Sequence, residues 1–322
     1  MRYALQVNGL DSAYIKEFGC GCARCARRTR GANTSVSLIG RDDHGRVVQH
    51  VLFDAGSGVT DSLLESPALR EEPRLDAVVL THWHSDHTSE LTRICTTWAR
   101  SRRRRGEAVV PVPVWCRSGS AAWLGRQYPH LSTAGRKVHA FGGVESKGTL
   151  LEPLMLDVPG LSLTPISTSH YTADLHPERT GEAHPCCAGY ILELPGVKVA
   201  LLWDLDATNL WLERPEGNQQ ETVERLRGAD HIFFDSNTWA YDTNPDGRPA
   251  SHASFGLVQR FARVLEPKHT WLVHLSGHED APNEGFGWED AQWQREAQRV
   301  WRDCNLPGDV HVPTINQTIE LE

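Results

Sequence analysis

Several things are scarce in this 322-residue chain, and each absence narrows what it can be. No apolar stretch approaches the ~20 residues that a membrane span requires. The opening Met1-Arg2-Tyr3-Ala4-Leu5-Gln6-Val7 lacks the long apolar core of a signal peptide. No membrane association and a cytoplasmic location are therefore expected. Positive charge is not in excess: the formal net charge is -8, which argues against a nucleic-acid backbone as the main partner. The one basic run, Arg102 to Arg105, follows a helical pattern and precedes Gly106, so it reads as a solvated loop rather than an anion-steering patch. No internal repeat or low-complexity linker divides the chain. Its length is ample for a self-sufficient core, and one domain covering residues 1–322 is expected. A chain of this length needs no disulfide scaffold, and in a reducing cytosol its eight cysteines are not expected to pair.

What is present is ordinary globular composition, 39% hydrophobic and 23% charged, with short β-branched runs bounded by Gly, Pro or Asp. The runs Thr34–Ile39, Val47–Phe53, Ala77–Leu80, Val112–Cys116, Lys137–Phe141 and Leu161–Ile166 predict strands. So do Ala188–Leu194, Val197–Trp203, His231–Phe234, Thr270–His274 and Ile315–Leu321. Helical periodicity lies between them at Ser62–Leu69, Glu90–Ser101, Glu221–Arg227, Phe255–Leu265 and Glu289–Cys304. Strands interleaved with helices in both halves suggest two sheets with helices outside, an α/β architecture.

The densest chemistry lies in Asp76-Ala-Val-Val-Leu-Thr-His82-Trp-His84-Ser-Asp86-His87. An apolar strand runs directly into four potential ligands in six residues. His82 and His84 are two apart and point the same way in extended backbone, while Asp86 and His87 follow where a helix should start. Imidazoles and carboxylates hold zinc while leaving room for water. A second concentration is Cys20-Gly-Cys22-Ala-Arg-Cys25, whose crowding in a reducing compartment suggests another metal site. Sixteen histidines are many for this length.

The HxHxDH spacing resembles the metallo-β-lactamase superfamily. That resemblance implies a four-layer αβ/βα sandwich with two metals at one edge, between the sheets. It implies further ligands at the ends of later strands. Phe53-Asp54-Ala-Gly56 resembles the family's strand-turn motif, where the Asp is structural. His170 resembles the third histidine of metal site one, with His176 and His184 as rivals. Asp204, after the apolar run ending at Trp203, resembles the carboxylate that bridges both metals, with Asp206 as rival. His274 resembles the last histidine of site two, with His269 as rival. The implied set is thus His82, His84 and His170 on one metal, Asp86, His87 and His274 on the other, and Asp204 shared.

The Cys20, Cys22 and Cys25 loop is similar to the CxCxxC zinc loop of one branch of this superfamily, which includes the cyclic-phosphate phosphodiesterase of phosphonate breakdown and PqqB. In that branch three thiolates and a distant histidine hold a structural zinc, and His278 would be the fourth ligand here. Arg24, Arg27, Arg28 and Arg30 resemble the basic tail of the loop. Asn8-Gly-Leu-Asp-Ser-Ala-Tyr14 departs from the Gly-rich turn usual after the first strand. PqqB-type proteins tend to lack part of the HxHxDH set, whereas this chain keeps all of it, which favours hydrolysis.

The resemblance therefore implies a hydrolase using a hydroxide held by two divalent metals, zinc first, with manganese or iron as alternatives, plus one structural zinc. Its substrate would be a small molecule, most simply a phosphodiester, cyclic esters included. Two alternatives remain: a lactone, lactam or other acyl hydrolase, and a di-iron, oxygen-activating enzyme of a biosynthetic pathway. Asp86 would ligate and also orient the hydroxide, and His252 is the candidate substrate-facing acid. A homodimer is allowed for. Tryptophans such as Trp83, Trp203, Trp211 and Trp239 belong to cores more often than to pockets. Cys95, Cys116 and Cys304 read as core or helix residues, and Cys186-Cys187 receives no assignment.

Overall fold

A computed structural model describes residues 1–127, 135–170, 173–174, 184–244, 246–276 and 287–321. One sheet contains β1 (Arg2–Gly9), β2 (Ser35–Arg41), β3 (Val47–Phe53), β4 (Ala77–Val79), β5 (Val112–Arg117), β6 (Arg136–Phe141) and β13 (Thr318–Leu321), in the order β13-β1-β2-β3-β4-β5-β6. The other contains β7 (Ser162–Ser167), β8 (Ala188–Leu194), β9 (Val197–Leu202), β10 (His231–Asp235), β11 (His269–Val273) and β12 (Asp309–His311), in the order β12-β11-β10-β9-β8-β7. In each sheet antiparallel strands occupy one side and parallel strands the other.

Period-two alternation sorts the side chains into layers. Val51 and Phe53 of β3 and Ala77 and Val79 of β4 face an inter-sheet core shared with Tyr190, Leu201 and Leu163 of the second sheet. Leu52 and Val78 point the other way, onto Leu91, Ile94 and Cys95 of helix Leu91–Arg104. Strands apolar on both faces belong between two covering layers. The second sheet is covered by helix Phe255–Leu265, which buries Phe255, Val258, Phe261, Ala262 and Leu265 at helical spacing. Ser254 caps it by accepting from the Leu257 amide. The result is the expected four-layer αβ/βα sandwich.

Several elements differ from the sequence reading. β1 and β12 are additional strands, and Ser118–Gln127 is an additional helix. The expected helix Ser62–Leu69 is two, Val59–Glu65 and Pro67–Glu71. Pro67 has no N–H to continue the first, and Ser66 caps the second by accepting from the Leu69 amide. Arg102, Arg103 and Arg104 are not a loop but the last turn of helix Leu91–Arg104, where cations complement the helix dipole. Arg102 and Arg105 lie over the Trp98 ring. No described helix is long and apolar enough to cross a membrane.

Candidate metal centre

The polar residues of interest gather at the C-terminal ends of parallel and neighbouring strands, where open α/β sheets place their sites. Asp54 follows β3, His82 to His87 follow β4, His170 follows β7, Asp204 follows β9, Asp235 ends β10 and His274 follows β11. Each arrives there because an apolar strand buried in the core delivers the next polar residue to the rim.

One nitrogen from each of His82, His84 and His170 and a carboxylate oxygen of Asp204 lie within 4.8 Å of one another. Asp86, His87, His274 and the same Asp204 form a second such group. Asp204 belongs to both. One of its oxygens is 3.1 Å from His82 Nε2 and 3.0 Å from His87 Nε2, and the other is 3.6 Å from His170 Nε2. The rival Asp206 turns away, accepting from Ser169 and Thr208 hydroxyls. His269 lies at the opposite end of β11, and His184 is in neither group. His176 and His278 lie outside the described residues.

The donor set fits divalent cations on an observation independent of the motif. Among the described residues, Nε2 of His82, Nε2 of His87 and both oxygens of Asp204 are buried and crowd together without a well-aligned hydrogen bond. Buried polar atoms are ordinarily paired, and converging lone pairs on nitrogen and oxygen are what a cation satisfies. Burial pushes the His84 imidazole down to about 4, helped by His82 beside it, and holds His170 well below the usual histidine range. Both are thereby neutral, the form that ligates. Burial alone would raise the Asp204 carboxyl, but His170, His274, His252 and His82 hold it well below the usual carboxylate range. Burial would likewise raise Asp86, yet His87 and His274 keep it ionised.

Around these groups sits a second set of hydrogen bonds that fixes their orientation. Asp54 is fully buried and accepts from His87 Nδ1 at 2.8 Å, Thr81 Oγ1 at 2.8 Å, the Thr81 amide at 2.8 Å and Trp203 Nε1 at 2.7 Å. By holding a proton on His87 Nδ1, Asp54 directs Nε2 of that ring toward Asp86 and Asp204. His170 Nδ1 is 2.8 Å from the Ser251 carbonyl oxygen, which does the same for that ring. Asp54, Asp204 and His274 have φ of 59°, 57° and 59°, a conformation non-glycine residues rarely adopt and one that concentrates at functional sites. Gly56 is required by close approach: a Cβ there would sit 1.7 Å from the Asp86 carbonyl oxygen.

His252 stands beside this centre, 22% exposed, with Nδ1 2.8 Å from Asp204 and 3.2 Å from Asp235. Burial would lower it, but the Asp204 and Asp235 carboxylates outweigh burial and hold it well above the usual histidine range. Asp235 joins the site alongside the residues that the sequence points to. Its signal in the sequence is the same as that of Asp204, an apolar strand ending in Asp. It also accepts from the Leu205 and Asn237 amides, tying three loops together.

Cys20, Cys22 and Cys25 bring their sulfur atoms within 4.8 Å of one another. The Arg24 amide donates to the Gly287 carbonyl at 3.1 Å, so the loop packs on the segment that leads into helix Asp290–Asp303. Two arginines of the basic tail are held by carboxylates. Arg24 is fully buried and ion-paired to Asp11 and Asp290, and Arg27 pairs with the same two carboxylates. Asp11 belongs to the stretch that replaces the Gly-rich turn. Of the tryptophans considered for a pocket, Trp203, Trp211 and Trp239 are core. Trp83 is half-buried in the ligand loop, stacked on Trp123 with centroids 4.3 Å apart.

Residues 49–275 match the model of the Beta-lactamase superfamily domain. The chain therefore belongs to the β-lactamase superfamily and is a metallo-β-lactamase-fold enzyme of this divalent-metal-binding hydrolase family. No curated protein matches it. Among solved structures it resembles a diphosphatase from the PhnP family, with 21% identity, TM-score 0.65 and coverage of 100% of this chain and 98% of that one. It also resembles zinc-bound PqqB from Methylobacterium extorquens, with 17% identity, TM-score 0.66 and coverage of 99% and 100%. CmlA, a diiron β-hydroxylase from Streptomyces venezuelae, is similar over 90% of this chain and 53% of its own, with 14% identity and TM-score 0.54. At these identities the likeness is one of fold.

Proposed function

We propose that this protein is a two-metal phosphodiesterase acting on a small phosphate ester or diphosphate, cyclic esters included. The observation that carries the reading is the shared Asp204, which stands between two complete ligand groups with the His252–Asp235 pair at its side. His82, His84 and His170 would hold one cation, Asp86, His87 and His274 the other, with Asp204 common to both. Two divalent cations, zinc in the first instance, supply a hydroxide nucleophile at neutral pH and neutralise charge on phosphoryl oxygens. The residues themselves do the rest. Asp86 would ligate and, by accepting a hydrogen bond, orient the hydroxide. His252 has Nδ1 committed to Asp204 and Asp235, so Nε2 is the atom that can deliver a proton to the leaving oxygen. Its two carboxylate partners keep it charged until that moment. The fold likeness to a PhnP-family diphosphatase supports the phosphoryl substrate over an acyl one. Cys20, Cys22 and Cys25 would hold a separate structural zinc, with His278 as the fourth ligand.

The test is turnover by metal-loaded protein on chromogenic phosphodiesters beside a lactone panel, with the bound metal identified. Phosphodiester turnover with two zincs or manganese ions in the centre is expected. His252→Gln should lower kcat by roughly 10²–10⁴-fold, far more with an alkoxide than with a nitrophenolate leaving group, which needs no proton. Turnover of lactones alone would overturn the substrate, and bound iron with oxygen consumption would overturn hydrolysis itself in favour of oxygen activation.

A further inference from the structure

A second cluster of ligating atoms lies at the other end of the second sheet. We propose that His269, Asp309 and His311 form a surface site for one divalent transition-metal ion, distinct from the catalytic centre and from the cysteine loop. His269 Nδ1 and His311 Nε2 both converge on the same oxygen, Asp309 Oδ1, at 2.7 and 2.8 Å. The three ligating atoms lie within 4.8 Å of one another.

Parallel register builds this cluster. His269 opens β11 opposite Asp309, which opens β12, and His311 follows two residues on, level with Trp271. All three side chains therefore share one face of the sheet. His274, at the other end of β11, is five residues away, about 16 Å along an extended strand. The two centres are thus separate in space as well as in ligands.

The geometry is held before any ion arrives. The His269 ring stacks on His231, centroids 4.9 Å apart, and the His311 ring stacks on Trp271 at 4.6 Å. The turn into β12 presses against Pro267 and Lys268: a Cβ on Gly308 would lie 2.2 Å from the Lys268 carbonyl oxygen, and Gly308 has φ +61°. Only glycine lets Asp309 come this close to His269. The neighbouring cation Lys268 is engaged by Asp230 at 2.7 Å and does not compete for Asp309.

Two imidazoles and one carboxylate select zinc, nickel or copper over calcium or magnesium, which prefer oxygen alone. The side chains of His269, Asp309 and His311 are 41%, 53% and 31% exposed, so water completes the coordination and the affinity should be micromolar rather than that of a closed site.

The experiment uses full-length protein loaded with zinc and then passed over a desalting column, so that the tight sites keep zinc and the micromolar surface site is emptied. It is dialysed against micromolar nickel chloride, and nickel and zinc are counted separately. One nickel per chain with unchanged zinc is expected. His311→Gln and Asp309→Asn should each weaken nickel binding at least tenfold, while turnover and zinc content stay at wild-type levels and so report an intact fold. His44→Ala, which removes another exposed histidine, should bind nickel normally. The proposal fails if wild type retains no nickel, if a His269→Gln/His311→Gln double variant retains as much as wild type, or if His44→Ala loses it equally.

Discussion

Replacing Asp54 by Asn isolates how much the centre depends on a residue that touches no metal. The side chain is buried and accepts four hydrogen bonds, three of them on one oxygen: from His87 Nδ1, Thr81 Oγ1 and Trp203 Nε1. An asparagine has one acceptor oxygen where aspartate has two. Its cheaper orientation keeps that oxygen on the three-donor side and turns the amide against the Thr81 N–H. The Thr81 N–H and the new amide N–H then face each other without an acceptor, at about 1–3 kcal/mol, and the remaining bonds lose their charge assistance, worth up to about 1 kcal/mol each. A total near 3 kcal/mol is expected, which lowers the Tm of the metal-free protein by roughly 4–5 °C for a chain of 322 residues. The opposite orientation would push the His87 proton onto Nε2, the nitrogen that faces Asp86 and Asp204. Either way His87 is a poorer ligand, and metal affinity should fall about 10–100-fold, as for other outer hydrogen-bond partners of metal sites. The assay is a thermal melt of metal-free protein together with a competition titration against a zinc chelator. An Asp54→Asn protein with wild-type Tm and wild-type zinc affinity would refute the claim that Asp54 orients His87.

Other substitutions probe neighbouring parts of the argument. Asp204→Asn should lower kcat by orders of magnitude and release metal from both groups, whereas Asp206→Asn should cost only local stability; the reverse pattern in metal analysis would move the bridge two residues along. Gly56→Ala should disorganise the ligand loop, because the new methyl carbon would overlap the Asp86 carbonyl oxygen; retained activity with normal metal content would show that the loop yields freely. Cys22→Ser should remove about one zinc and lower Tm while leaving the catalytic pair bound, and an unchanged zinc count would sink the cysteine site. Arg24→Met should destabilise the protein by roughly 3–5 kcal/mol, since it leaves Asp11 buried with half its partners; a wild-type urea midpoint would contradict that.

The ligand loop His82 to His87 was legible because its chemistry is local: an apolar strand, a tight spacing and four donors need no tertiary information. Asp204 and His274 were legible in kind, since each follows an apolar run, but their rivals Asp206 and His269 carry the same residue types. Only the fold separates them, by sending Asp206 to Ser169 and His269 to the far end of β11. Asp235 shows the same limit. It ends a buried strand as Asp204 does, yet its part in holding His252 depends on two loops 17 residues apart meeting at one rim. Nothing local marks Arg24 and Arg27 as buried, because their burial follows from Asp11 and Asp290, contacts distant in sequence. The breaks in the helices at Ser66 and the strand at Asp309 were too short for periodicity to mark. The sequence determined the strand–loop chemistry and the family through patterns that repeat within a few residues. Tertiary structure decided which donors converge, which carboxylate orients which imidazole, and that His269, Asp309 and His311 meet at all, because those depend on strand register across a sheet, which no local pattern encodes.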